Sequence, residues 1–377
     1  MRHLIPLALL LPAPALAADL LPRQLPAKDP VLAPILLDAA EPLPVQLQVK
    51  FTDGARARAL AGGLDLADGL PMVPPTAALM TEMLAGVADP DRSHGMAPPL
   101  FGEITARAVA YNCVLADCPP GALPVVLTAA TACLADDFNL LGLLTTTGSP
   151  AVALVVHGPV ARRLGMNDGI NCLGPGNRAN AAIGRALALV LRNVAGARPG
   201  IGDMATVGQP GKYGFCFAES AASHLPTLPA RQGLAADADA VTVLGVSGTV
   251  EVLPLDDRDT GEAILAPVAA AAIAVGAVAS AGRDRPAGDQ VFLLPPELAA
   301  GLEKHGWGLD RIRDYLYGLR RIDMPGVAAI EAAQPIAEAP AAIQPVVAGG
   351  PGIKMCYLPL WMGGSRIQTR ALLDLKA

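Results

Sequence analysis

The sequence predicts an α/β fold in which a helical first part is followed by a mostly parallel sheet flanked by helices. Hydrophobic residues make up 52% of the chain and charged residues 16%, a composition that favours large buried elements over a disordered chain. From about residue 145 onwards, short apolar or β-branched segments alternate with longer segments of helical periodicity, as in sheets with crossover helices. Before that residue, the periodic segments are mainly helical.

The chain is longer than one typical domain. It has 377 residues, and domains usually contain about 100–200, so more than one compact unit is expected. We predict a signal peptide over residues 1–17, a mainly helical part over 18–145, and an α/β domain with glycine-rich loops over 146–377.

Periodicity and turn signals place the individual elements in chain order. The predicted helices cover residues 55–66, 77–85, 104–115, 123–134, 160–164, 180–194, 264–281, 296–305 and 310–319. The predicted strands cover residues 145–147, 151–156, 213–218, 241–246, 250–253 and 290–294. Alanine and proline are frequent over residues 325–345, which predicts a linker there.

The first residues have the features of an export signal. Arg2 and His3 precede an apolar run over residues 4–11, and Ala15-Leu16-Ala17 supplies the small side chains of a cleavage site. Cleavage there predicts a periplasmic or secreted mature protein. The alternative is an ordinary apolar N-terminus, in which case the protein is cytoplasmic.

Composition excludes several classes of partner and cofactor. The net charge is −6 and no more than two basic residues are adjacent, so no nucleic-acid partner is expected. The six cysteines form no Cys-x-x-Cys pair and the five histidines are scattered, so neither a metal nor another cofactor is predicted. Residues 264–281 are mostly alanine and contain Pro267, which favours a buried helix over a membrane span in the mature chain.

The strongest functional signal is a glycine turn that leads directly into a helix, over residues 171–186. Glycines let backbone amides point into a common space, and the first amides of a helix bind carboxylate or phosphate. Arg178, Arg185 and Arg192 recur every seven residues and share one helical stripe. The predicted anion-binding residues are Gly174, Gly176, Asn177, Arg178, Asn180, Arg185 and Lys212. The alternative is structural, with a helix cap and arginines that pair with acidic residues elsewhere.

A second group of residues has side chains suited to chemistry. His157 ends a predicted buried strand, and ligands of open α/β sheets lie at the carboxyl ends of strands. Cys216 and Glu219 lie at the end of a strand that follows the Pro210-Gly211-Lys212 turn. The predicted catalytic residues are therefore His157, Cys216 and Glu219, although a hydrogen-bonded turn histidine and a plain hairpin explain them equally simply. The glycine turn over residues 348–356 resembles the turn before Cys216, because in both a proline and a glycine are followed by a lysine and then a cysteine.

Five stretches of the chain resemble a poorly characterised bacterial family. They cover residues 68–76, 110–127, 158–222, 296–316 and 348–369. In that family, a similar module is joined to, or found beside, a domain with a Sec/Cys-Gly-Ser-Cys (UGSC) motif, which is thought to be redox-active. This chain has no such motif, and it has His157, Ala182 and Leu298 where family members tend to have Asn, Thr and His. The resemblance therefore implies a redox role by association only.

These observations predict a protein that binds a small anionic molecule, carboxylate or phosphate, as an enzyme acting on a small metabolite. One alternative is a non-catalytic exported solute-binding protein. A second alternative is a thiol-redox partner of a UGSC-type protein. Whether the protein is catalytic, and whether it forms a homo-oligomer, are left open by the sequence.

Overall fold

The protein was analysed as a computed structural model that describes residue 66 and residues 68–255, 260–279, 288–324, 327–331 and 335–376. The predicted signal peptide over residues 1–17 and most of the predicted helix over 55–66 lie outside these residues. The α/β class is confirmed, since helices flank two four-stranded sheets.

Helices and strands alternate along the described chain. The helices are α1 (Ala77–Met83), α2 (Ala106–Leu115), α3 (Leu123–Ala132), α4 (Leu140–Thr145), α5 (Pro159–Arg163), α6 (Arg178–Asn193), α7 (Leu228–Arg231), α8 (Gly261–Ala279), α9 (Pro296–Lys304) and α10 (Leu309–Gly318). The strands are β1 (Ser93–Ala97), β2 (Gly102–Thr105), β3 (Ala151–His157), β4 (Cys216–Ala218), β5 (Ala240–Val246), β6 (Val250–Val252), β7 (Gln290–Leu294), β8 (Arg321–Met324), β9 (Val327–Glu331), β10 (Ile343–Val347), β11 (Met355–Leu358) and β12 (Gln368–Ala371).

The two main sheets are mixed, which corrects the prediction of a mostly parallel sheet. Their strand orders are β12-β5-β3-β4 and β10-β7-β11-β6. Only β3 with β4 and β7 with β10 are parallel, whereas the other neighbours in both sheets are antiparallel. Parallel neighbours need a long crossover, and both of these connections contain helices, α5 and α6 in the first and α9 and α10 in the second. Elsewhere a short glycine-rich turn, such as residues 348–354 between β10 and β11, reverses the chain.

The sheets pack face to face between two helical layers. Along β3, Ala153 and Val155 belong to a buried cluster shared by both sheets, while Leu154 and Val156 belong to the cluster under α2, α3 and α6. The second sheet alternates in the same way, and its outer face packs on α8, α9 and α10. Both faces of each central strand are therefore buried, which explains the continuous apolar runs in the sequence.

The two sheets exchange their last strands. Strand β6 follows β5 in the chain but pairs with β11 in the second sheet, and β12 follows β11 but pairs with β5 in the first. An isolated antiparallel β-bridge between Val246 and Leu360 joins the two segments at which the chain passes from one sheet to the other. Each sheet is thus completed by the half of the chain that builds the other sheet, which couples the folding of the two halves.

Several element predictions need correction. Thr145 ends helix α4, so residues 145–147 are not the predicted strand. The predicted linker over residues 325–345 contains β9 and the start of β10, where Pro345 is accommodated because β10 is an edge strand. The first part also contains the β1–β2 hairpin besides its helices. The domain boundary near residue 145 stays a prediction.

The apolar helices are part of the packed core. In α8, the side chains of Ile264, Leu265 and Ile273 are buried, as expected of a core helix. Among the described residues, no single helix is both long and apolar enough to cross a membrane. Two consecutive helical segments, Pro120–Ala132 and Asp136–Thr145, are together long and apolar enough to cross a membrane, but the chain bends by 83° between them.

Candidate functional site

The loop before α6 is held together by its own asparagine side chains. Asn171 adopts a left-handed backbone (φ 58°), and its Nδ2 donates to the carbonyl of Pro175 at 2.8 Å. The Asn171 side chain also fills the space beside Gly174, where a Cβ atom would lie 2.1 Å from its Oδ1. Asn177 caps α6, since its Oδ1 accepts from the Asn180 amide at 2.7 Å. The predicted glycine turn and helix are present, but side chains of the loop occupy much of the turn.

Asn180 fixes the loop from inside the protein. Its Oδ1 accepts from the Asn167 amide at 3.0 Å, and its Nδ2 donates to the carbonyls of Asn167 and Cys172 at 2.9 and 3.1 Å. The residue is buried, and its amide group is fully used by the backbone. Asn180 therefore positions the loop, which differs from the predicted contact with a ligand.

Two of the stripe arginines pair with acidic residues in different surroundings. Arg185 forms a bidentate pair with Asp68, at 2.7 Å from Nε to Oδ2 and 2.8 Å from Nη2 to Oδ1. The two side chains are only 14% and 13% exposed, so this pair is structural. Arg178 contacts Asp117 at 2.7 Å, but these side chains are 74% and 55% exposed. The structural alternative therefore holds for Arg185, while Arg178 is accessible to a ligand.

A cavity of about 650 Å³, here called the α6 cavity, lies between α6 and the segment 70–74. Its charged wall consists of Arg178, Arg185 and Asp117. The rest of the wall is largely apolar and includes Leu70, Met72, Val73, Ala181 and Ala182. The cavity lies along the first turns of the helix, so Gly174, Gly176 and Asn177 do not line it.

A second cavity of about 650 Å³, here called the Lys212 cavity, lies beyond the Arg185–Asp68 pair. Asp68 lines this cavity, whereas Arg185 lines the α6 cavity, so their pair stands between the two. Lys212 Nζ contacts Asp203 Oδ2 at 2.6 Å on its wall. The structure thus separates Lys212 from Arg178, although the sequence predicted one shared anion pocket.

The structure brings His157 and Glu219 together between the sheets. His157 Nδ1 lies 2.8 Å from Glu219 Oε2, without the alignment of a hydrogen bond, and both side chains are 2% exposed. His157 Nε2 forms a 2.8 Å hydrogen bond with Thr242 Oγ1, which also bonds Thr369 Oγ1 at 2.8 Å. Glu219 Oε2 accepts from the Leu228 amide at 3.0 Å. This buried network does not line either of the two cavities.

Cys216 lies apart from that network. It belongs to the cluster under α6, on the opposite face of β4 from Phe217, and Glu219 continues the Phe217 face. Burial raises the pKa of the Cys216 thiol far above its ordinary value, so the thiol is protonated at neutral pH. The six cysteines are free thiols, and the predicted catalytic trio does not form one site.

Two glycines allow β4 and the residues before it to approach α6. A Cβ atom at Gly184 would lie 2.8 Å from Cys216 Cβ, and one at Gly214 would lie 2.8 Å from the Arg185 amide nitrogen. We expect Gly184→Ala to lower the free energy of unfolding by about 1–3 kcal/mol, because the tight contact has no room for a methyl group. Denaturant unfolding measures this loss.

Gly301→Ala is the matched control for that substitution. Gly301 is also inside a helix, but its added Cβ would meet Ile264 Cδ1 at an ordinary 3.6 Å. Helix propensity then favours alanine by up to about 1 kcal/mol. Equal stabilities of the two variants would contradict the close approach of α6 and β4.

Sequence reasoning missed the acidic partners Asp68 and Asp203 and the threonine Thr242. The signal for Thr242 was a polar residue within the apolar run 240–246, but the partners of the two aspartates follow only from the fold. Within the part of the chain that the structure describes, no group of three or more His, Cys, Asp or Glu side chains is placed to hold a metal ion.

No family model, curated protein or solved structure matches this chain. The resemblance to the UGSC-associated family therefore stays a prediction.

Proposed function

We propose that the protein binds a small carboxylate with an apolar body in the α6 cavity. The observation that carries the proposal is a cavity of about 650 Å³ whose wall combines two guanidinium groups, one carboxylate and a largely apolar remainder. Small-molecule sites usually have volumes of about 300–1,000 Å³, with apolar walls and a few polar groups that orient the ligand. Because Arg185 is paired with Asp68, the positive group left to attract an anion is Arg178.

Arg178 is the residue that would hold the carboxylate. Its pair with Asp117 is exposed, and exposed ion pairs contribute only about 0–1 kcal/mol, so a ligand can displace Asp117 at little cost. The guanidinium group can then bind both oxygens of the ligand carboxylate. Arg185 instead shapes the cavity, because its Nη1 donates to the Pro71 carbonyl at 2.7 Å and holds the segment 70–74 beside α6.

The proposal concerns binding rather than a reaction. His157, Glu219 and Cys216 are buried, and none of them lines the α6 cavity. The separation of these residues from the cavity supports the hypothesis of a solute-binding protein more than that of an enzyme. The protonated Cys216 thiol gives no support to a thiol-redox role. Catalysis by these residues and a periplasmic or secreted location stay predictions.

Calorimetric titration with benzoate tests the proposal, with benzamide as the uncharged analogue and inorganic phosphate as the hydrophilic anion. Benzoate is expected to bind more tightly than either. We expect Arg178→Gln to weaken benzoate binding about tenfold or more, since a charge-assisted hydrogen bond contributes about 1.5–3 kcal/mol.

Arg163→Gln is the matched control. Arg163 is 60% exposed and pairs with Asp239 at 2.6 Å, but it does not line the cavity. Its replacement is expected to leave benzoate binding unchanged. Equal binding of benzoate and benzamide, or equal losses in the two variants, would show that the proposal is wrong.

A further inference from the structure

We infer that the Lys212 cavity is a second binding site, for a zwitterionic α-amino acid with an apolar side chain. The inference is independent of the carboxylate site at α6. It rests on an ammonium group and a carboxylate that lie side by side on an otherwise largely apolar wall.

The charged pair is held rigidly and is shielded from solvent. Lys212 Nζ and Asp203 Oδ2 are 2.6 Å apart, and their side chains are 23% and 17% exposed. Asp203 Oδ1 also accepts from the Ala205 amide at 3.0 Å, which fixes the carboxylate. Gln209 anchors the same loop, because its Nε2 donates to the carbonyls of Ser149 and Val246 at 2.6 and 2.7 Å. The two charges are therefore preorganised.

Both charged groups retain capacity for a ligand. An ammonium group has three donors, and Asp203 uses one donor of Lys212. Each carboxylate oxygen has two acceptor sites, and the contacts of Asp203 with the described part of the chain use one site on each oxygen. A ligand carboxylate can thus bind Lys212 while a ligand ammonium group binds Asp203, without breaking the pair.

The sign of the wall selects a zwitterion. Among the described residues, its charged side chains are Asp203, Lys212, Arg192 and Asp68, of which Asp68 pairs with Arg185. A simple carboxylate placed at Lys212 would also lie beside Asp203, and a simple amine placed at Asp203 would lie beside Lys212. A zwitterion laid head to tail on the pair matches both charges with opposite ones.

The apolar remainder of the cavity accounts for the side chain of the ligand. Leu144, Val152, Leu189 and Leu191 line it. Val207 and Tyr213, which are 93% and 54% exposed, also line the cavity and so form its outer edge. Apolar surface at this edge favours a ligand with an apolar side chain, because such a ligand covers it on binding.

The test is a calorimetric titration of the full chain carrying Arg178→Gln with L-leucine, isovalerate and isoamylamine, because the proposed α6 site also takes carboxylates and this substitution removes its binding. The second compound carries only the negative charge and the third only the positive charge. L-leucine is expected to bind at least about tenfold more tightly than either, since each of the others lacks one charge-assisted contact. Arg178 is 74% exposed, so its replacement is expected to leave the fold intact.

Variants then assign the binding to the pair. Added to Arg178→Gln, Lys212→Met and Asp203→Asn are each expected to weaken L-leucine binding at least about tenfold. Lys354→Met is the control, because Lys354 forms a 2.8 Å pair with Glu251 at an exposed site outside the cavity. Absence of L-leucine binding, equal binding of the three compounds, or unchanged binding in Lys212→Met would overturn the inference. Loss of benzoate binding alone would overturn only the α6 proposal.

Discussion

Replacing Glu219 by leucine is expected to lower the free energy of unfolding by about 3–5 kcal/mol. The substitution leaves the buried Leu228 amide without its acceptor and takes the negative charge away from the His157 ring and from the Arg231 guanidinium. Burial lowers the pKa of the half-buried Arg231, and the negative charge of Glu219 opposes that lowering. Denaturant unfolding gives the loss as a shift of the midpoint.

Two further variants separate hydrogen bonding from general damage. Glu219→Gln keeps an acceptor for the Leu228 amide, so its loss should be clearly smaller than that of the leucine variant. Glu251→Leu removes an acidic side chain that is 59% exposed and should change stability by less than about 1 kcal/mol. If all three variants were equally stable, the inter-sheet network would not contribute to folding.

The second large effect is expected at the pair between the two cavities. Arg185→Met should lower the free energy of unfolding by about 3 kcal/mol, because the Asp68 carboxylate loses its partner and both hydrogen bonds in a largely buried place. The carbonyls of Pro71 and Leu70 lose donors as well. Amide hydrogen exchange at Val73, whose amide donates to the Leu115 carbonyl at 3.2 Å, should then accelerate.

A double-mutant cycle tests whether the pair itself is responsible. Adding Asp68→Asn to Arg185→Met removes the unpaired charge and should recover part of the lost stability. Arg178→Met breaks an exposed pair in the same helix and should cost less than about 1 kcal/mol. A loss at Arg178 as large as that at Arg185 would contradict the structural role given to the buried pair.

The local features of this protein could be predicted from its sequence. Helix α6 and strand β3 ending at His157 follow from hydrophobic periodicity, which acts over a few residues. Helical periodicity also singled out Arg178, and the structure then showed that its side chain is exposed. These features depend on nearby residues, so they can be predicted before the fold is known.

The order of the strands and the partners of the charged residues could not be predicted from the sequence and are known from the tertiary structure. Arg185 meets Asp68, 117 positions earlier, and His157 meets Glu219 because β3 and β4 end side by side between the sheets. The alternation within the strands then directs Cys216 to the opposite face. Strand exchange and such long-range pairs depend on how distant segments pack, and no short pattern of residues encodes that packing.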